Sequence, residues 1–180
     1  NTSLHLGSNG SSAFFADCPL DSVYIGGKIT YYTSDYKGYS PFYRNTSLRA
    51  VVITDEEKQI YDNEFYGCTS LKEITVDEGV TAIPKYAFRN CTSLETIVLP
   101  ESLTTINAYA FDGCSNLKTV VLPAQLTVIG TAAFQNCTGL SAITLPESLT
   151  KIDNYAFAGC SGLKTITVPS GITEINYGVF

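Results

Sequence analysis

The sequence predicts a right-handed solenoid of stacked 23-residue coils, with a parallel sheet on its concave side and short extended and helical-turn segments on its other sides. Three observations predict it. Phe42, Phe65, Phe88, Phe111, Phe134, Phe157 and Phe180 are each 23 residues apart. Cys68, Cys91, Cys114, Cys137 and Cys160 follow the phenylalanines by three residues at the same period. Ile60, Ile83, Ile106, Ile129, Ile152 and Ile175 stand five residues before them, and Leu48, Leu71, Leu94, Leu117, Leu140 and Leu163 six after. A fixed period of this length marks a repeat architecture in which one unit is one supersecondary element.

The unit from Leu103 to Gln125 shows how each side of a coil arises. From Leu117 the pattern is L-x-x-V-x-L followed by Pro123. Its alternation points side chains inward and outward in turn, as in a strand. The proline ends the strand because it cannot donate to a following ladder bond. Strands are expected over 73–76, 96–99, 119–122, 142–145 and 165–168, paired in parallel because every coil returns the chain in the same direction. Tyr109-Ala110-Phe111 places two apolar residues side by side, which a strand would send to opposite faces, so a short helical turn is expected there. Leu103 to Ile106 forms a third, extended side, and Gly113 and Asn116 suit the turn back to the strand. No coil can bury its apolar set alone, so stacking must supply the core. Phe111 is expected to be fully buried between Phe88 and Phe134.

The array divides into a divergent N-terminal rung over 1–41 and regular repeats over 42–180. Phe15, Cys18, Leu20, Val23 and Ile25 resemble an earlier rung, and Phe15 precedes Phe42 by 27 residues, which leaves an insert within 26–41. That insert carries Tyr31, Tyr32, Tyr36 and Tyr39. It is read as a cap over the first rungs; a contact loop is the alternative, since tyrosines are large, amphipathic and lose little entropy on ordering. Asn45 takes the cysteine position of the Phe42 rung, and Glu57 and Lys58 replace the usual Leu-Thr, so that side is expected to be looser. The chain begins at Asn1 without Met and stops at Phe180 before another strand, and the array is expected to continue beyond it.

Composition narrows the function classes. Of the 180 residues, 44% are apolar and 16% charged, which supports a packed core and argues against disorder. A formal net charge of −6 argues against a nucleic-acid partner, which would need a basic surface. No apolar run is long enough to span a membrane.

The unit L-P-x-x-L-T-x-I-x-x-Y-A-F-x-x-C-x-x-L-x-x-I-x resembles the BspA-like leucine-rich repeats of bacterial surface proteins. The match is most specific over 80–180, where Ala-Phe, Cys, the Leu/Ile ladder and Pro100, Pro123, Pro146 and Pro169 all recur. The resemblance implies a leucine-rich-repeat solenoid without catalytic residues or cofactors. It also implies an extracellular or cell-surface location, with protein partners such as host matrix or cell-surface proteins.

Candidate chemistry is sparse. His5 is the only histidine and stands in the ragged N-terminal stretch, so no nucleophile–histidine pair is expected. Single cysteines one coil apart do not converge as metal ligands do. Adjacent rungs would bring their Cα atoms to roughly 4.8 Å, within disulfide range. Stacked inward side chains run parallel, however, and buried free thiols are favoured. Glu78, Glu101 and Glu147 share a column but face no second carboxylate, and hydrolysis of glycosides needs two. Asn45-Thr46-Ser47, Asn90-Cys91-Thr92 and Asn136-Cys137-Thr138 match glycan acceptors, yet the repeat's turn signature already accounts for them.

The outward strand columns are the candidate site. Arg49, Lys72, Lys118 and Lys164 line the strand entry. Thr96, Thr119 and Thr165 belong to the next column, and Thr75, Val98, Val121 and Thr144 to the third. Thr and Val are also simply good strand residues, but as one continuous face they fit a protein strand or loop. A binding module for proteins is the leading function. A stiff spacer presenting another domain is the alternative, and carbohydrate binding by exposed aromatics is a weaker third.

Overall fold

The computed structural model describes residues 15, 17–25, 40–53 and 60–180, together with the backbone of 4–6 and 29–31. It is a solenoid of stacked coils whose strands all pair in parallel. The strands are β1 (Leu4–Leu6), β2 (Ser22–Ile25), β3 (Ile29–Tyr31), β4 (Ala50–Ile53), β5 (Glu73–Val76), β6 (Ala82–Ile83), β7 (Thr96–Val98), β8 (Thr105–Ile106), β9 (Thr119–Val121), β10 (Val128–Ile129), β11 (Ala142–Thr144) and β12 (Lys151–Ile152). Along one side of the coil run β2-β4-β5-β7 and then β9-β11, as two separate sheets. Along the extended side run β6-β8-β10-β12, and β1 pairs with β3.

The expected strands form at the expected places, one residue shorter where a proline follows soon after. Leu99, Leu122 and Leu145 fall outside β7, β9 and β11 because Pro100, Pro123 and Pro146 have no N–H to continue the ladder. The exception is 165–168, which forms no strand. Leu163 and Ile166 stay half-buried there, whereas their equivalents Leu140 and Ile143 are buried, so less apolar contact holds the segment in register.

The third side corrects the expected helical turn. Tyr86, Tyr109, Ala132 and Tyr155 adopt left-handed backbone conformations with φ of 59°, 59°, 54° and 59°. Each splits the segment into consecutive tight turns, such as Ala110 N–H to Asn107 O at 3.3 Å and Cys114 N–H to Phe111 O at 3.1 Å. The intervening amides point along the solenoid axis. Tyr109, Phe111 and Gly113 donate to the carbonyls of Thr131, Ala133 and Gln135 in the next rung at 2.9, 2.8 and 2.8 Å. A helix would satisfy its amides internally and leave none for the neighbouring rung. Ala110 and Phe111 nevertheless both point inward, as the apolar pair requires.

The core is a set of columns. Phe111 has no exposed surface and stacks between Phe88 and Phe134 at 5.5 and 5.3 Å between ring centroids. The stack runs unbroken from Phe15 to Phe180. Parallel offset rings of this kind add about 0.5–1.5 kcal/mol per pair beyond area burial. The Phe15–Phe42 stack and the β2–β4 ladder make the first rung continuous with the regular ones.

A second column alternates in size. Two residues after each phenylalanine stand Arg44, Gly67, Asn90, Gly113, Asn136 and Gly159, all with positive φ. The Asn90 side chain lies over Gly113 and that of Asn136 over Gly159, so a Cβ at either glycine would meet an Asn Oδ1 at 2.4 or 2.7 Å.

Candidate binding surface

The parallel register assembles the outward strand residues into one face. Tyr24 pairs with Val52, Val52 with Thr75, Thr75 with Val98, and Val121 with Thr144. Their inward neighbours, Val51, Ile74, Ile97, Val120 and Ile143, are buried, which fixes this face to solvent. Tyr24, Val98 and Val121 are 75%, 58% and 81% exposed, the first on β2 and the other two on the neighbouring β7 and β9. Thr75, Thr96, Thr119 and Thr144 are exposed between and beside them.

The cationic column flanks this line but is partly neutralised. Arg49 Nε lies 3.5 Å from the Asp21 carboxylate, and Lys118 Nζ 3.4 Å from Glu95. Lys72 is exposed beside Glu73. Lys164 and Thr165 are exposed but stand on the segment that forms no strand. Of the tyrosine insert, Tyr31 ends β3, while Tyr32, Tyr36 and Tyr39 lie outside the described residues, as do Glu57 and Lys58.

The cysteine column is structural. No disulfide joins any two of the six cysteines. Each regular-rung thiol donates to the carbonyl of the phenylalanine one rung earlier. Cys68 reaches Phe42 at 3.1 Å, Cys114 reaches Phe88 at 3.1 Å and Cys160 reaches Phe134 at 3.0 Å. The sulfur is thus directed at a backbone oxygen rather than at the next sulfur. Asn45 fills the same role at the head of the column. Its Nδ2 donates to the carbonyls of Phe15 and Cys18, and its Oδ1 accepts from the amides of Ser47 and Leu48. That buried amide has no surface on which to carry a glycan. Burial pushes the Cys68 thiol up to about 12 and the Cys160 thiol to about 11, and those of Cys91, Cys114 and Cys137 well above the ordinary range. These are poor nucleophiles, since the thiolate is the reactive form.

One of the turn acids has partners in the next rung. Glu78 accepts from the amides of Glu101 and Ser102 in the next rung at 3.0 and 3.2 Å, so it caps a turn. No group of three or more His, Cys, Asp or Glu among the described residues gathers to hold a metal. No helix among them is long and apolar enough to cross a membrane.

Sequence reasoning missed a cluster on the turn side. The Arg89 guanidinium lies 5.3, 5.6 and 5.8 Å from the ring centroids of Tyr109, Tyr86 and Tyr66. Its Nε donates to the Asp112 carboxylate at 2.8 Å, and Asp112 is almost fully buried. Tyr86 and Tyr109 stack at 5.1 Å. The signal was present one position after each phenylalanine, where Tyr43, Tyr66, Arg89 and Asp112 vary while the phenylalanine column beside them holds constant.

Parallel ladders, a 23-residue coil and Leu, Ile, Phe and Cys columns turned inward define a leucine-rich-repeat solenoid with an open sheet face. Residues 58–180 match the model of the BspA-type leucine-rich repeat region in six copies. The chain belongs to the BspA-type leucine-rich repeat family. It is similar to a leucine-rich repeat protein of T. pallidum, with 34% identity over 73% of this chain and 64% of that one, at a TM-score of 0.71. It is also similar to a leucine-rich repeat protein of Bacteroides ovatus ATCC 8483, with 32% identity over 83% of this chain and 40% of that one, at a TM-score of 0.72. A leucine-rich cell surface protein of Faecalibacterium prausnitzii A2-165 matches at 32% identity over 67% of this chain and 38% of that one, with a TM-score of 0.59. The chain therefore spans less than two thirds of the length of these relatives. No curated protein matches it.

Proposed function

We propose that the array is a non-catalytic binding module of a bacterial surface protein, contacting a protein partner through the outer face of the strand-side sheet. The observation that carries this reading is the outward strand column of Tyr24, Val52, Thr75, Val98, Val121 and Thr144, in which Tyr24, Val98 and Val121 leave apolar side chains well exposed to solvent. Exposed apolar side chains gathered on one face and rimmed by polar ones mark interaction sites, and Val98 and Val121 stand side by side on β7 and β9. Thr75, Thr96, Thr119 and Thr144 supply hydroxyls beside it, and Arg49, Lys72, Lys118 and Lys164 set a charged edge. The surface location draws support from the F. prausnitzii relative, described as a cell surface protein. Host matrix or host cell-surface proteins are the partners the family resemblance implies. Residues 1–41, with the tyrosines of the insert, act as the cap of the array.

A rigid spacer is the second reading, favoured by the unbroken Phe15-to-Phe180 stack. Adhesion of the purified chain to a panel of immobilised matrix proteins and to intact host cells separates the two. Binding at micromolar concentration is expected. Val98→Asp with Val121→Asp should weaken it about tenfold or more, as the loss of roughly 1.4 kcal/mol of contact would. Lys72→Glu with Lys164→Glu should act mainly on association rate and salt dependence. A control set away from the sheet, Glu101→Lys with Glu147→Lys, should have little effect. Absence of adhesion to every surface would leave the spacer as the function.

A further inference from the structure

The strand side and the turn side are held differently at the junction between the Phe88 and Phe111 rungs, inside the array. They are again at its last junction, where, among the described residues, the Lys164 amide makes no strand-entry bond and 165–168 forms no strand. At successive strand entries the amides of Arg49, Lys72 and Glu95 donate to the carbonyls of Asp21, Arg49 and Lys72 at 2.8, 2.8 and 2.9 Å. Ser141 donates likewise to Lys118 at 3.0 Å. Among the described residues the Lys118 amide makes no such bond, and β7 and β9 belong to separate sheets. On this side the Phe88 and Phe111 rungs are linked by the Lys118–Glu95 ion pair, whose side chains are both well exposed. An exposed pair of this kind contributes little to holding two elements together.

The other two sides of the same junction are closed. Tyr86, Phe88 and Asn90 donate to the carbonyls of Ala108, Ala110 and Asp112 at 3.1, 2.9 and 2.8 Å. The Tyr86–Tyr109 stack and the Arg89–Asp112 pair cross it as well, with the guanidinium packed against three rings. On the extended side β6 pairs with β8, and Asn107 donates to Ile83 at 2.9 Å. We infer that the junction between the Phe88 and Phe111 rungs is a hinge, pinned on the turn side by Arg89 and opening on the strand side between β7 and β9. Val98 and Val121, the two most exposed valines of the sheet face, flank the opening. If that face binds a protein, as proposed above, the hinge changes the spacing of its two central apolar contacts.

Hydrogen exchange read amide by amide on the intact, unliganded chain tests the hinge whether or not a partner exists. The Lys118 and Thr119 amides should exchange about tenfold faster or more than those of Lys72 and Glu73, as local opening demands. The Phe88 and Asn90 amides, at the same junction on the pinned side, should exchange slowly. Protection of Lys118 equal to that of Lys72 would overturn the hinge. Arg89→Ala should speed exchange at Phe88 and Asn90 severalfold and reduce the asymmetry. If that variant does not fold, Arg89→Lys keeps the charge, removes the planar stacking and serves the same comparison. Turn-side exchange unchanged in a folded variant would show that the pin is not Arg89.

Discussion

Phe111 sits in the middle of the aromatic stack with no exposed surface, while Thr119, eight residues on, faces solvent. Phe111→Ala should cost about 3–5 kcal/mol, since the rungs above and below are tied to their own neighbours and cannot collapse into the void. Thr119→Ala should stay within about 0.5 kcal/mol. Denaturant midpoints of the two variants check this, and equal losses would mean that the inward column is wrongly assigned. Gly113 offers a sharper test of the alternating column. Gly113→Ala combines a φ of 77° with a Cβ 2.4 Å from Asn90 Oδ1. It should destabilise by about 1–3 kcal/mol. Asn90→Gly in the same chain should recover the steric part and leave the backbone part, giving a coupling that a double-mutant cycle reads directly.

At the scale of the element, the strands and their facing were readable because period-2 alternation within a 23-residue repeat admits one register. Ile74 and Val76 had to be inside, and Glu73 and Thr75 outside. The outer columns of the candidate site followed from the same alternation. The turn side was not readable. Ala110-Phe111 is compatible with a helical turn or with two tight turns around a left-handed residue, and a bulky Tyr at Tyr109 gives no warning of a positive φ. What decides between them is the demand of the next rung's carbonyls for amides, which lies outside any local window. The pairing of Lys118 with Glu95, and the gap between β7 and β9, escaped for a related reason. They depend on how two particular rungs settle against each other, whereas the repeat pattern treats all rungs as equivalent.

For the whole molecule, the five buried thiols make stability depend on alkaline pH. In the unfolded chain a cysteine ionises near 9, whereas in the fold Cys68 is held to about 12, Cys160 to about 11 and the three between them well above the ordinary value. Below pH 9 the thiols are protonated in both states and their contribution is constant. Above it the unfolded state sheds protons that the native state keeps, so stability falls as pH rises, until about 11 for Cys160 and 12 for Cys68. Each thiol should add a slope of about 1.4 kcal/mol per pH unit in that window. Thermal melts between pH 8 and pH 11, set against a Cys114→Ala variant, measure one such share. The variant should be less stable at neutral pH and decline less steeply. An identical decline would mean that other groups, such as the tyrosines, account for the titration.

The alternation of Arg44, Gly67, Asn90, Gly113, Asn136 and Gly159 reaches beyond packing to inheritance. Tandem repeats lengthen and shorten when copies misalign during recombination. Losing the Gly113 rung would set Asn90 directly against Asn136, where a glycine now leaves the space, and losing the Asn136 rung would set Gly113 against Gly159 with nothing to fill it. Losing or gaining two rungs together restores the order of large and small. The gene should therefore accept changes of array length in pairs more readily than singly, so that lineages differing by an even number of coils are the ones that persist.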